Sequence, residues 1–273
     1  MNYKEEKTLL YVNDINVGYG DKMILKNVSF DIKDVVRENY ESTGQIIAFI
    51  ARSGRGKSTL FKALTGLLKP ASGDVLITDM LSDDDADAKI LVGGDMGFVD
   101  QKYTLFRHKT ITQICNYALR KSKLSKEEKV ALITEYLTEW GLLEHKDKYS
   151  CELSGGQRQR TAIIEQMLTS KHFMILDEPF SGLDVGNIEK VKQSFDRISD
   201  ANELNTIIFS THDIRLAVEL SDSIYILGPH ETDPTCSTIV KHYDLKAMGL
   251  AWEPFNDGHR ALHHEIHDLL LKS

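Results

Sequence analysis

The sequence predicts an α/β fold built on a largely parallel sheet. Two observations carry this. Short continuous apolar runs at Gln45–Ile50, His172–Asp177, Thr206–Ser210 and Ile224–Leu227 fit strands buried on both faces. Helical stretches at 57–68, near 187–200 and at 213–220 alternate with them. A third feature modifies the core: residues 100–170 read mostly as helix, which predicts a helical subdomain, about 102–168, inserted into the sheet domain.

Taken in order, residues 8–32 alternate apolar and polar side chains and read as strands, with turns at Asn13-Asp14 and Gly18–Asp21. The polar stretch 33–44 reads as a loop. Gln45–Ile50 is the first buried strand, followed by a Gly-rich turn and a helix from Lys57 to Leu68. Residues 82–88 form an acidic loop, and Met96–Val99 a short strand. Ser125 and Glu128 make a capping-box pair. Val130, Ile133, Leu137 and Trp140 then recur at helical spacing until Gly141 ends the helix. From about Pro229 the sequence reads as a less regular extension ending in a helix.

The chain has 273 residues, a net charge of −8 and three dispersed cysteines, Cys115, Cys151 and Cys236. The acidic balance argues against a nucleic-acid-coating role. Cysteines without a CxxC pair argue against a disulfide framework and for a reducing cytoplasm. No apolar run reaches the roughly 18 residues needed to cross a bilayer, and the N-terminus carries no secretory h-region. Any membrane role is therefore expected to come through a partner.

Ala51-Arg52-Ser53-Gly54-Arg55-Gly56-Lys57-Ser58-Thr59 matches the phosphate-loop pattern GxxxxGK[ST] except at its first position. Glycines let backbone N–H groups close on phosphate. The pattern casts Ser53–Thr59 as a nucleotide cradle, with Lys57 reaching the β- and γ-phosphates and the Ser58 hydroxyl a ligand for Mg²⁺. Asp177 and Glu178 end a buried strand, where α/β sheets place ligands. Asp177 is the second expected Mg²⁺ residue, and Glu178 the candidate general base on an attacking water.

Leu153-Ser154-Gly155-Gly156-Gln157 resembles the signature motif of ATP-binding cassette (ABC) ATPases. Tyr19 resembles the family's adenine-stacking aromatic. Gln101, after Gly97-Phe98-Val99-Asp100, resembles the Q-loop glutamine that senses Mg²⁺ and water. Asp184 in Ser181-Gly182-Leu183-Asp184 resembles the D-loop acid, and His212 in Ser210-Thr211-His212-Asp213 the switch histidine. The motifs stand in the family's order, and the resemblance spans about residues 8–228. It implies a P-loop NTPase core with an antiparallel β edge subdomain and the inserted helical subdomain, then an extension over 229–273. It further implies Mg²⁺-dependent ATP hydrolysis in a head-to-tail homodimer. There Ser154, Gly155, Gly156 and Gln157 of one chain would cap the γ-phosphate held by the other, while Glu178, His212 and Gln101 would serve the chemistry.

As a single cassette without a membrane segment, the chain is expected to power import through separate permease subunits, with a substrate-binding protein as a further partner, from the inner face of the membrane. The extension has some texture of the nitrate, sulfonate and taurine importer group. The competing expectation is a non-transport soluble ABC ATPase of the iron–sulfur assembly type; a permease-binding groove beside Gln101 would separate the two. Two departures from the family pattern are Ala51, at the usual first glycine, and Glu165, where many relatives carry arginine. Asp83, Asp85 and Asp87 mimic an EF-hand start, but Ala88 and Gly94 occupy the positions of its glycine and glutamate, so a solvated loop is expected. His259, His263, His264 and His267 lack HExxH spacing, and the stripe Leu262, Ile266, Leu269, Leu270 beside them reads as an amphipathic docking helix.

Overall fold

The computed structural model describes residues 3–37, 44–78, 88–169, 173–181, 186, 188, 189, 191–193, 195 and 206–272. The strands are β1 (Tyr3–Tyr19), β2 (Lys22–Arg37), β3 (Gln45–Ile50), β4 (Ser72–Thr78), β5 (Ala88–Ile90), β6 (Gly97–Val99), β7 (Phe173–Leu176), β8 (Thr206–Thr211), β9 (Ser223–His230) and β10 (Asp233–Asp244). The helices are α1 (Lys57–Leu64), α2 (Ile111–Ala118), α3 (Lys126–Glu139), α4 (Gly155–Thr169), α5 (Ile214–Leu220) and α6 (Asp257–Lys272). Among the described residues these ten strands join one curled sheet in the order β5-β4-β1-β2-β10-β9-β3-β8-β7-β6. Strands β9, β3, β8, β7 and β6 run parallel. The other end, β2-β1-β4-β5, is antiparallel.

Strand alternation divides the apolar side chains between two cores. Ile47 and Phe49 of β3, Ile175 of β7 and Ile208 of β8 face α1, whose Leu60, Phe61 and Leu64 lie in the curl of the antiparallel edge with Leu9, Leu10 and Leu25. Ala48, Ile50, Met174, Leu176, Ile207 and Phe209 face the opposite way. They pack with Ile111 and Cys115 of α2, Ile133 and Leu137 of α3, Ile163 of α4, and Leu262 and Ile266 of α6. The buried strands are continuous apolar runs because both faces are covered.

Several local expectations change. Asn13-Asp14 is no turn: β1 continues through it with a register shift against β2. Asp14 takes φ 46° there, and its N–H donates to Ser29 Oγ at 2.8 Å. The polar run after residue 32 is strand as far as Arg37, because Val35 and Val36 keep the ladder with Glu5 and Lys4. The first helix stops at Leu64 rather than Leu68, where Gly66 adopts φ 69°. Val130 is exposed, while Ile133, Leu137 and Trp140 are buried. The Ser125–Glu128 capping box is present, and Gly141 follows α3 with φ 63°. The region after Pro229 is not irregular. β9 runs to His230, and β10 pairs with it antiparallel and meets β2 at Ser237–Leu25. Strands β4 and β5 carry no clear sequence signal. The acidic Asp83–Asp87 stretch and most of the expected helix 187–200 lie outside the described residues.

Candidate functional site

The phosphate-loop pattern occupies the turn between β3 and α1. Gly54 and Gly56 take φ 81° and 88°, backbone that L side chains rarely adopt. At Gly56 a Cβ would also lie 2.9 Å from Ile24 and Leu25. Ala51 is buried and has no such φ, so the first position of this loop does not require glycine. Lys57 opens α1 and is 8% exposed. Its ammonium donates to Ala51 O at 3.0 Å and pairs with Glu178 Oε1 at 3.2 Å. Ser53, Gly54 and Ser58 are exposed, Gly56 is half-buried and Thr59 is buried. Arg55 is half-buried and donates to Pro234 O at the start of β10.

Glu178 stands just past β7 with φ 52°. Its second oxygen, Oε2, lies 2.9 Å from His212 Nδ1, so one carboxylate joins the lysine of the loop to the histidine after β8. Asp177, beside it, is buried. Its backbone N–H donates to Val99 O of β6 at 2.9 Å, which ties this turn to the strand preceding Gln101. Gln101 is exposed in the turn after β6, where Asp100 accepts from Thr104 N and Oγ1.

The Leu153–Gln157 segment builds the start of α4. Ser154 Oγ accepts the Gln157 N–H, and Gln157 Oε1 accepts the Ser154 N–H at 2.9 Å, a reciprocal cap. Gly155 is exposed with open space where a Cβ would be, so the first N–H groups of a 15-residue helix are accessible. The hydrogen bonds of Ser154 stay within its own turn, whereas those of Lys57, Asp177, Glu178 and His212 link the ends of four strands, β3, β6, β7 and β8. Tyr19 ends β1, is 48% exposed and has the Lys62 ammonium 5.8 Å from its ring centroid. Asp184 lies outside the described residues.

The sequence reading did not single out two residues close to this group. Ser210 in β8 bonds both Asp177 and Glu178. Gln159 in α4 is buried and donates to Pro179 O at 2.6 Å, fastening the helix to the turn after Glu178. The Ser210 signal was its place near the end of a buried strand, two residues before His212. Glu165 is half-buried on α4, and burial pushes its carboxyl up to about 7 against the lowering influence of Arg120. The histidines of α6 separate. His259 is buried with Nε2 3.0 Å from Leu250 O and Nδ1 accepting the Asn256 N–H, while His264 and His267 are exposed. Among the described residues no group of three or more His, Cys, Asp or Glu could hold a metal ion.

The arrangement can hold a polyphosphate between a positive helix end and a buried ammonium, next to a carboxylate–imidazole pair. The donor set also fits a hard divalent cation: the Ser58 hydroxyl is exposed beside the loop, and Ser210 engages one oxygen of the Asp177 carboxylate and leaves the other. Residues 25–181 match the family model described as ABC transporter. The chain is 30% identical over 236 residues to the sulfate/thiosulfate import ATP-binding protein CysA of Thermosynechococcus vestitus, covering 86% of this chain and 66% of that protein. It is 33% identical to the probable sulfate/thiosulfate import ATP-binding protein CysA of Chlorella vulgaris, covering 80% of this chain and 86% of that one. Four CysA relatives are spanned over only 61–66% of their own lengths. A solved ATP-binding subunit of an ABC transporter shares the fold, with a TM-score of 0.68 at 23% identity over 93% of this chain and 99% of that one. No helix among the described residues is long and apolar enough to cross a membrane. On the family model and these relatives together, the chain belongs to the ABC transporter family.

Proposed function

We propose that the chain is the ATP-hydrolysing subunit of a transporter, acting as a homodimer on separate membrane permease subunits at the inner face of the membrane. The observation that carries the reading is the contact chain Lys57–Glu178–His212 at the mouth of the glycine loop. A γ-phosphate arriving at Lys57 competes with Glu178 for the ammonium. The carboxylate is then free to accept a proton from water, and His212 keeps it oriented. Tyr19 offers a flat face for adenine, and the exposed start of α4 offers N–H groups to the γ-phosphate bound by a second chain. A Mg²⁺ held through Ser58, Asp177 and Gln101 would neutralise phosphate charge. Gln101 and Asp184 complete the proposed site.

Import is the direction supported by the printed names of the CysA relatives, and an importer brings a substrate-binding protein as a further partner. The test is nucleotide binding and phosphate release by the purified chain. Lys57→Ala should reduce ATP affinity by at least tenfold, since it removes a buried ammonium from the phosphate cradle. Unchanged affinity in a folded variant would overturn the assignment of this loop. Recovery with a polytopic partner from solubilised membranes separates the transporter from a soluble ABC ATPase.

A further inference from the structure

Ser210 is fully buried in β8. Its Oγ donates to Asp177 Oδ1 at 2.6 Å and accepts the Glu178 N–H at 2.8 Å. The polarity is forced: an N–H can only donate, so the hydroxyl hydrogen is left for the carboxylate. One oxygen atom therefore fixes two neighbouring residues. It sets the rotation of the Asp177 carboxylate, and it holds the backbone of Glu178 in a left-handed conformation, φ 52°, that costs a non-glycine residue about 1 kcal/mol. Ser210 in β8 and His212 just past it both reach the residues that follow β7. His212 takes the Glu178 side chain, and Ser210 takes its main chain. Thr211, between them, accepts the Asp213 N–H and steadies the turn that presents His212.

We infer that Ser210 is a positioning residue for ATP hydrolysis: its hydroxyl orients Asp177 toward a divalent cation and sets the turn that aims Glu178 at the site of the attacking water. It touches neither nucleotide nor water and acts through its two neighbours. The inference rests on the ATPase reading above. A misplacement of about 1 Å in such groups can cost on the order of a hundredfold in rate, so loss of the hydroxyl should read out in turnover more than in binding.

Thr and Val differ at this position only by a hydroxyl against a methyl, so Ser210→Thr and Ser210→Val in the full chain make the test. Ser210→Thr should keep kcat within about threefold of the unmodified chain. Ser210→Val should lose about tenfold or more. It should also raise the Mg²⁺ concentration for half-maximal rate severalfold, and leave metal-free binding of a fluorescent ATP analogue within about twofold. A merely structural hydroxyl would move the melting temperature but not the Mg²⁺ requirement or the split between kcat and affinity. Equal kcat and equal Mg²⁺ requirement in the two variants would overturn the inference. If the β-branched variants do not fold, Ser210→Ala against the unmodified chain gives the same comparison. The unmodified chain and Glu178→Gln are run alongside. An unmodified chain without Mg²⁺-dependent turnover overturns the parent reading instead.

Discussion

Single residues decide the loop by their backbone angles. Gly56 combines φ 88° with two side chains where a Cβ would stand. Gly56→Ala should therefore lower stability by about 1–3 kcal/mol and weaken ATP binding with it, as read by thermal melts with and without nucleotide. Ala51→Gly should leave ATP affinity within about twofold and lower stability by about 1–2 kcal/mol, because Ala51 holds an ordinary φ while glycine loosens the unfolded chain and removes one buried methyl. Glu165 sets a pH dependence. Burial raises its folded pKa from 4.5 to about 7, so between those values the folded chain holds a proton that the unfolded chain releases. The penalty for ionising it is absent below about pH 4.5, grows as pH rises toward 7 and is complete above 7. Glu165→Gln should raise stability at pH 8 by on the order of 2 kcal/mol, an amount reduced for partial exposure. At pH 5 it should change little. Denaturant midpoints at the two pH values would show this, and equal gains at both would reject it.

Elements are held by caps and by their neighbours in the sheet. Helix α6 packs against α5, so the apolar stripe Leu262 and Ile266 docks on the chain's own core. His259 ties the start of that helix to Leu250 O, with Asn256 capping the turn through its Oδ1. His259→Ala should cost about 2–4 kcal/mol, since it opens a cavity and leaves the Leu250 carbonyl with only the long 3.4 Å bond from the Glu253 N–H. Urea unfolding measures it, and a loss under 1 kcal/mol would argue against this anchoring. The same elements explain what the sequence made legible. β3, β7 and β8 are covered on both faces and so appear as apolar runs that need no knowledge of their partners. The glycine loop is equally local. β10 has no clean alternation, with Cys236 and Ser237 both buried and Val240, Lys241 and His242 all exposed, and its place depends on pairing with β9 and β2. That pairing is not written in its own residues. Ser210 looks like any strand serine until β7 is set beside β8, and the Lys57–Glu178 contact likewise exists only through the order of strands.

At the scale of the molecule, the two phosphate sites proposed above belong to different parts of one chain. The glycine loop lies between β3 and α1, and the capped Ser154 turn begins α4, a helix that contacts α2 and β6. Each can approach a phosphate through free backbone N–H groups. The turn at Ser154 makes its side-chain bonds only to itself, so its outer face is available to a second molecule. A twofold pair of chains lets each Ser154 turn meet the nucleotide on the other's loop, which a single chain cannot arrange with the helical segment between them. In the proposed pair ATP would act as the adhesive, and its hydrolysis would weaken the pair by mass action on the bound state. Glu178→Gln keeps a side-chain oxygen near Lys57 while removing the proton acceptor, so ATP should bind and persist. With ATP and Mg²⁺ this variant should elute at twice the monomer mass, whereas Lys57→Ala should remain a monomer under the same conditions. Adding Ser154→Arg to Glu178→Gln places a bulky side chain at the contact and should return the monomer without loss of ATP binding. Dimer formation that ignores both ATP and Ser154 would mean the chains associate through another face.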